Sequence, residues 1–276
     1  MLLFRTAQGP VVENNGRYFA VARGWNDLVN DDTLHDTLAT LCRSGAHEET
    51  LAGAVRQPLP PIGDQELWAA GVTYLRSRTA RIEESRGSGG ADFYDRVYAA
   101  ERPELFLKAT RNRVVGPGDS MHLRRDSRWI VPEPELVVLI TQNANIVGYT
   151  IGNDLSCRDI EGENPLYLPQ AKTFDRCAAI GPGILVSPEP PAPDAVISLV
   201  VRRGDATIYE DGTPLAQMKR SLQELVGYLF RDLSHPDGCL LMTGTGIVPP
   251  TDFTLRSGDL VSISIPGIGT LTNSMH

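Results

Sequence analysis

The sequence predicts a β-rich α+β fold. Three features carry that expectation. From Leu105 onward, short apolar runs alternate with glycine, proline and asparagine punctuation. One amphipathic stretch, Leu215–Leu233, stands out as a packed helix. Finally, 26 glycines and 20 prolines supply many turns. Many short strands carrying a single packed helix suit a layered α+β domain.

The elements follow in order. "LLFRTAQGPVVENNGRYFAVA" reads as a hairpin turning at Asn14-Asn15-Gly16, and "DDTLHDTLATLCRSGAHEETLAGA" places apolar residues at helical spacing. Together they make a small α/β unit over residues 1–60, which "RQPLPPIGD" (Arg56–Asp64) ends as a linker. Residues 61–276 form the larger domain. It opens with a strand, "LWAAGVTY", then two charged helical stretches, "LRSRTARIEES" and "ADFYDRVYAAE", interrupted by "RGSGG". A helix, a Gly/Ser hinge and a helix suit a mobile lid, and suit a plain surface loop equally well. "ELFLKAT", "VVGPGDSMHL", "PELVVLI" and "IVGYTIGNDLS" follow as strands, then a hairpin around Arg203-Gly204-Asp205, the helix, and the strands "CLLMTGTGIV" and "SGDLVSISIPGIGTLTN".

Bulk properties narrow the function classes. The 276-residue chain is 41% hydrophobic and 22% charged, an ordinary globular composition. Its net charge of −8 argues against nucleic acid as a partner. No apolar run approaches the roughly 20 residues that span a bilayer, and the first residues lack the pattern of a signal peptide. Cys42, Cys157, Cys177 and Cys239 are scattered with no C-x-x-C pair, so reduced thiols in a cytoplasmic protein are expected.

The chemistry concentrates where "VPEPELVVLI" (Val131–Ile140) begins. Glu133 and Glu135 stand two apart at the mouth of an apolar strand, and side chains two apart in an extended chain share one side. Asp154 follows the next strand, and the intervening "TQNANI" reads as a turn that would bring it beside them. Three converging carboxylates call for a cation, and an all-oxygen set without Cys or His selects Mg²⁺, with Ca²⁺ or Mn²⁺ as alternatives. On spacing alone, a surface pair beside a bulge and a turn-forming aspartate compete with the metal site.

E-x-E before an apolar strand, then "GYTIGNDLSCRDIE", "AKTFDRCAAIGPGI", "TGTGIV" and "SGDLVSISIPGIGTLTN", resemble the fumarylacetoacetate hydrolase family in order and spacing, from about Leu67 to Asn273. The resemblance implies a mixed β-roll, usually assembled as a homodimer or homotetramer, with Glu133, Glu135 and Asp154 as ligands of Mg²⁺ or Ca²⁺. It also implies that Lys172, in the K-x-F-D segment, reaches a small-molecule 2-keto acid. The metal there polarises the keto group and acidifies the C3 protons.

The same resemblance separates two branches. Hydrolases of the family resemble N-Y-x-x-H-x-x-E in the first helix, whereas this chain has Thr73, Tyr74, Ser77 and Ala80 at those places. Neither serine nor alanine deprotonates water near neutral pH. The "YDRVYAAERPELFLKAT" segment looks instead like dehydratases of 2-keto-3-deoxy pentonates, which implies Glu104 and Lys172 as the acid–base pair and a semialdehyde product. Of Arg76, Arg78 and Arg81, Arg76 is the candidate for closing over a polyhydroxy acid, and Phe106 and Thr245 are candidate substrate contacts. The alternatives are a metal-dependent C–C hydrolase of an acylpyruvate, with Glu83 or Glu84 as base, and a silent binding protein.

Overall fold

The computed structural model describes residues 1–84 and 91–276. Gly87, Gly89 and Gly90, the expected hinge, lie outside the described residues. The strands of four residues or more are β1 Leu2–Thr6, β2 Gly9–Asn14, β3 Arg17–Ala20, β4 Glu66–Gly71, β5 Glu104–Ala109, β6 Pro134–Ile140, β7 Ile146–Asp154, β8 Ala178–Leu185, β9 Val196–Arg203, β10 Ala206–Pro214, β11 Cys239–Met242, β12 Leu260–Ile265 and β13 Gly269–Met275. The helices are α1 Trp25–Val29, α2 Leu34–Ser44, α3 Leu75–Glu84, α4 Ala91–Ala99, α5 Arg158–Glu163, α6 Leu168–Lys172 and α7 Leu222–Leu229.

The larger sheet is mixed, in the order β3-β2-β1-β8-β7-β6-β11-β4-β5, with Val114–Val115 running parallel to one end of β8. The smaller runs β10-β9-β12-β13 and is extended by Ser120–Met121. In β9, Ile197, Leu199 and Val201 are buried at every second position, and in β12 Val261, Ile263 and Ile265 do the same. That period of two gives the smaller sheet one apolar face, which packs on β6, β7 and β8. β6 shows no alternation, because β7 and β11 flank it on both edges and all of "PELVVLI" is buried. The architecture is the expected α+β.

Residues 1–60 do not stand apart as a sheet of their own. Leu2 and Leu3 of β1 pair antiparallel with Leu185 and Ile184 of β8, so β1, β2 and β3 extend the larger sheet. The expected linker is fastened as well. Leu59 N–H donates to Arg5 O at 2.7 Å, Arg5 Nη1 donates to Ile62 O at 2.7 Å, and Ile62 is buried.

The helix expected over Leu215–Leu233 is shorter. Leu215–Gln217 makes one 3₁₀ turn, and the α-helix proper spans Leu222–Leu229. The Ser221 hydroxyl accepts from Glu224 N–H at 3.1 Å and caps α7 there. The skipped residues, Met218–Arg220, spend their hydrogen bonds elsewhere: Met218 bridges Tyr74, and Lys219 N–H donates to Thr73 O at 2.9 Å.

Candidate active site

The hairpin of β6 and β7 builds the acidic cluster. Its turn closes through Thr141 N–H to Asn145 O at 2.9 Å, as the sequence leads one to expect. The ladder extends past β6, with Asp154 N–H donating to Glu133 O at 2.9 Å, so Glu133 and Glu135 keep a common side. Gly152 lies opposite Glu135, where a Cβ would come within 2.6 Å of Val137 Cγ2 and 2.7 Å of Met242 Cε. One carboxylate oxygen each of Glu133, Glu135 and Asp154 lie within 4.8 Å of one another, all on buried residues.

Among the described residues, four cations meet these acids. Lys172, the last residue of α6, donates from Nζ to Glu133 Oε2, to Asp154 Oδ2 at 3.2 Å and to Ser156 Oγ at 2.6 Å. Arg158 and Arg81 each place an Nη2 2.8 Å from Glu133 Oε1, and Arg81 also pairs with Glu161 of α5. Lys108 of β5, fully buried, lies 2.5 Å from Asp154 Oδ1 and donates to Leu155 O at 2.9 Å and to Lys172 O. Glu135 is met differently: it accepts Gly244 N–H at 2.5 Å. Gly244 has φ +90° and no room for a Cβ, which would lie 2.0 Å from Thr73 Oγ1, so glycine is required for that backbone donor.

The residues present fit a hard divalent ion. The ligand set is three carboxylates, and no histidine or cysteine lines the cavity among the described residues. Asp154 Oδ1 is buried and meets the Lys108 ammonium at 2.5 Å, so the carboxyl is held in the charged form that a hard ion binds.

The field of the cluster sorts its members. Burial pushes Glu135 well above the usual carboxylate range, and the charges of Asp154 and Glu133 add to the shift. Burial also opposes ionisation of Glu133, but Lys172, Arg158 and Arg81 outweigh it and hold that carboxyl well below the usual range. Lys172 is the mirror case. Burial would lower it, yet Asp154, Glu133 and Glu161 keep the ammonium above its ordinary value. Burial and the charge of Glu161 push Glu104 up to about 7.

Glu104 and Phe106 of β5 and Thr245, just beyond β11, line the same cavity as the three acids and Lys172, and Lys172 Nζ stands 5.7 Å over the Phe106 ring. Glu104 is seated over its cross-strand partner Gly71, where a Cβ would lie 2.1 Å from Glu104 Oε2. The cavity has room for about 20 Å³, roughly one water or an ion and less than a five-carbon acid needs.

Arg76 is not in this cavity. Its half-exposed guanidinium lies 2.6 Å from Asp211 Oδ2 and donates to Val248 O at 3.2 Å, on the outer face of α3. Arg81 is the arginine that turns inward, sharing the cavity wall with Ser77 one turn before it. The S-x-x-x-R spacing of Ser77 and Arg81 could have picked it out. Glu83 lines an outer groove with Arg76 and Ala80, away from the acids, and the Glu84 side chain lies outside the described residues. Arg158, Glu161 and Lys108 had no counterpart in the sequence reading. The "CRDIE" segment places Arg158 and Glu161 one turn apart, and Lys108 follows Glu104 by four residues in β5.

Lys108→Met should be costly, because it removes an ion-pair partner of buried Asp154 and the donor to two buried carbonyls. An apo-protein destabilisation of about 3–5 kcal/mol is expected, partly offset by Mg²⁺. Denaturant unfolding with and without Mg²⁺ measures it, and an unchanged midpoint would count against the pairing.

Residues 90–276 match the family described as fumarylacetoacetate (FAA) hydrolase C-terminal. The chain is 48% identical over 221 residues to a probable 2-keto-3-deoxyxylonate dehydratase of Haloferax volcanii, covering 80% of this chain and 75% of that one. It is 45% identical over 213 residues to the 2-dehydro-3-deoxy-D-arabinonate dehydratase of Saccharolobus solfataricus, covering 76% and 72%. Its fold matches that of a 2-keto-3-deoxy-D-arabinonate dehydratase complexed with magnesium and 2,5-dioxopentanoate with a TM-score of 0.83 at 33% identity, covering 100% of this chain and 98% of the other. With a shared fold, a match over most of its length and three acids on a common hairpin, the chain belongs to the fumarylacetoacetate hydrolase family.

Proposed function

We propose that the protein is a Mg²⁺-dependent dehydratase of a 2-keto-3-deoxy pentonate, releasing water and forming a 2-oxo acid semialdehyde of the 2,5-dioxopentanoate type. The observation that carries this reading is that Glu104 and Lys172 line one cavity with the acids, while Ser77 and Ala80 stand where the hydrolases resemble His and Glu. The relatives named dehydratases, at 48% and 45% identity, support it.

Glu133, Glu135 and Asp154 would hold the ion, which supplies Lewis-acid polarisation of the 2-keto group when bound. The chain's own residues divide the proton traffic. Lys172 is held as an ammonium by Asp154 and Glu133, so it is a donor. That leaves Glu104, poised near neutrality, to accept the C3 proton. Lys172 then gives its proton to the departing C4 hydroxyl, which leaves as water. Loss of a C5 proton with reprotonation at C3 gives an enol at C5, which ketonises by losing its hydroxyl proton and gaining one at C4, so the semialdehyde forms and one water is lost overall. Arg81, which lines the cavity, spends its fork on Glu133 and Glu161 and so holds those two carboxylates in place beside the ion's site. Glu83, one of the two bases the hydrolase reading would use, is turned outward.

With Glu104 as base, kcat/KM should rise with pH, inflect near 7 and level off above, because only the ionised carboxylate accepts a proton. Glu104→Gln should abolish that limb, and a rate that instead falls through pH 7 would make Glu104 the acid. The function itself is tested by incubating the protein and Mg²⁺ with a panel of 2-keto-3-deoxy pentonates and acylpyruvates. Semialdehyde without C–C cleavage is expected, whereas pyruvate from an acylpyruvate would place the chain among the hydrolases. We also propose a homodimer or homotetramer in a reducing, cytoplasmic compartment. The four cysteines, all free and buried, support that setting, and light scattering tests the assembly. No helix among the described residues is long and apolar enough to cross a membrane.

A further inference from the structure

The helices α3 and α4 are joined to the rest of the chain at two feet, and one tripeptide grips both. At the α3 foot, Met218 bridges Tyr74 and Lys219 N–H donates to Thr73 O at 2.9 Å. At the α4 foot, Arg220 uses Nη2 for Val97 O at 3.1 Å and Ala100 O at 2.7 Å. Its Nη1 donates to Glu101 O at 3.1 Å and to Glu224 Oε1 of α7 at 2.5 Å. Lys219 Nζ donates to Tyr98 O and sits 4.3 Å from the centre of the Tyr98 ring. Val97 O and Tyr98 O are among the carbonyls that a helix leaves without partners at its C-terminus, Ala100 O and Glu101 O follow directly, and two cations there also suit the helix dipole. Arg220 is only 5% exposed, so this is a seated side chain and not a surface contact.

The cavity residues lie immediately beyond these grips. Ser77 and Arg81 follow the α3 foot by less than two turns, and Glu104 comes three residues after Glu101. Glu101 is fixed a second time, its Oε1 accepting from Tyr228 OH of α7 at 3.0 Å. The chain from Val97 to Glu104 therefore has its backbone pinned just before the proposed base. Lysine cannot reproduce this, since a single ammonium cannot span carbonyls at positions 97, 100 and 101 as the guanidinium fork does.

We propose that Arg220 is a positioning residue for the dehydration: it locks the C-terminal foot of α4 and so sets Glu104 against the C3 carbon of the substrate. This rests on Glu104 acting as the base. The 2-keto acid end is assigned to the ion and the β6–β7 hairpin, which the grip does not touch. A loosened foot therefore misplaces the base without weakening substrate or metal binding.

The test is Arg220→Met, with Arg220→Lys beside it, measured for kcat, KM, Mg²⁺ affinity by calorimetry, and amide hydrogen exchange over residues 95–104. Arg220→Met should lower kcat on the order of 10- to 100-fold, the scale of an ångström-sized misplacement. KM and Mg²⁺ affinity should stay within about threefold, exchange over 95–104 should speed up, and Arg220→Lys should recover part of kcat. Unchanged kcat overturns the proposal. So does a parallel fall of kcat, Mg²⁺ affinity and unfolding midpoint, the mark of a general structural role. If Arg220→Met does not fold, Lys219→Met removes the Tyr98 contacts and should show the same split at smaller size, and its absence overturns the proposal equally. Should the wild-type chain prove not to dehydrate, the functional assignment fails on its own. Unchanged exchange in Arg220→Met would then still sink the grip.

Discussion

Lys172→Met is expected to slow dehydration by about 10²-fold or more while leaving Mg²⁺ affinity equal or higher. The rate loss is the usual scale for removing a general acid. The metal effect follows from the ammonium's place on Glu133 and 3.2 Å from Asp154, where it competes for the oxygens assigned to the ion. Removing it leaves two ionised carboxylates facing each other, a state that a divalent cation relieves. Glu104→Gln should lose a similar factor in rate without the gain in affinity, since Glu104 is assigned no ligand role. Stopped-flow turnover and calorimetric Mg²⁺ titration measure both. If Lys172→Met lost its metal while its fold stayed intact, Lys172 would belong to the ligand shell and not to the proton traffic.

Glu135→Gln should weaken Mg²⁺ binding by roughly 100-fold or more, because a neutral amide replaces a charged hard ligand. The metal-free protein should respond with the opposite sign. Glu135 is buried against Asp154 and Glu133, and its stored repulsion is relieved when it becomes neutral. Metal-free Glu135→Gln should therefore melt above metal-free wild type at alkaline pH, and saturating Mg²⁺ should reverse the order. Thermal unfolding with EDTA and with excess Mg²⁺ reads both limbs. Wild-type Mg²⁺ affinity in this variant would remove Glu135 from the site.

The acidic triad was legible because two rules of extended chains suffice for it: side chains two apart share a side, and a short polar turn folds the next strand back. Glu104 and Lys172 became visible through the family resemblance alone, since nothing in their local pattern marks them. The sequence could not say which of Arg76, Arg78 and Arg81 faces the cavity, for a physical reason. α3 carries Leu75, Ala80 and Ile82 among charged and polar residues, too few apolar positions to tell which side turns inward. Lys108, Arg158 and Glu161 escaped because charge is normally a sign of exposure. Here each is buried by a partner that lies far away in sequence. Ser221 ends the overlong helix reading for a related reason: a capping serine inside an amphipathic stretch looks like any tolerated polar residue until the preceding amides are seen bonding elsewhere.

The pairing of β1 with β8 makes a natural-looking place to divide the coding sequence a poor one. A fragment of residues 61–276 would retain every side chain assigned to chemistry and would still be a damaged protein. It would expose the β8 edge at Ile184 and Leu185, one strand from the one that ends in Asp154, as an open template for another chain. Such a fragment should accumulate in the insoluble fraction and should be rescued by supplying residues 1–60 as a separate polypeptide. Soluble yield with and without that partner is the measurement. An equally soluble, fully active fragment would show that the first strands are dispensable. The opening sixty residues thus behave as the selvedge of the larger sheet, the finished border that keeps the weave from catching on its neighbours.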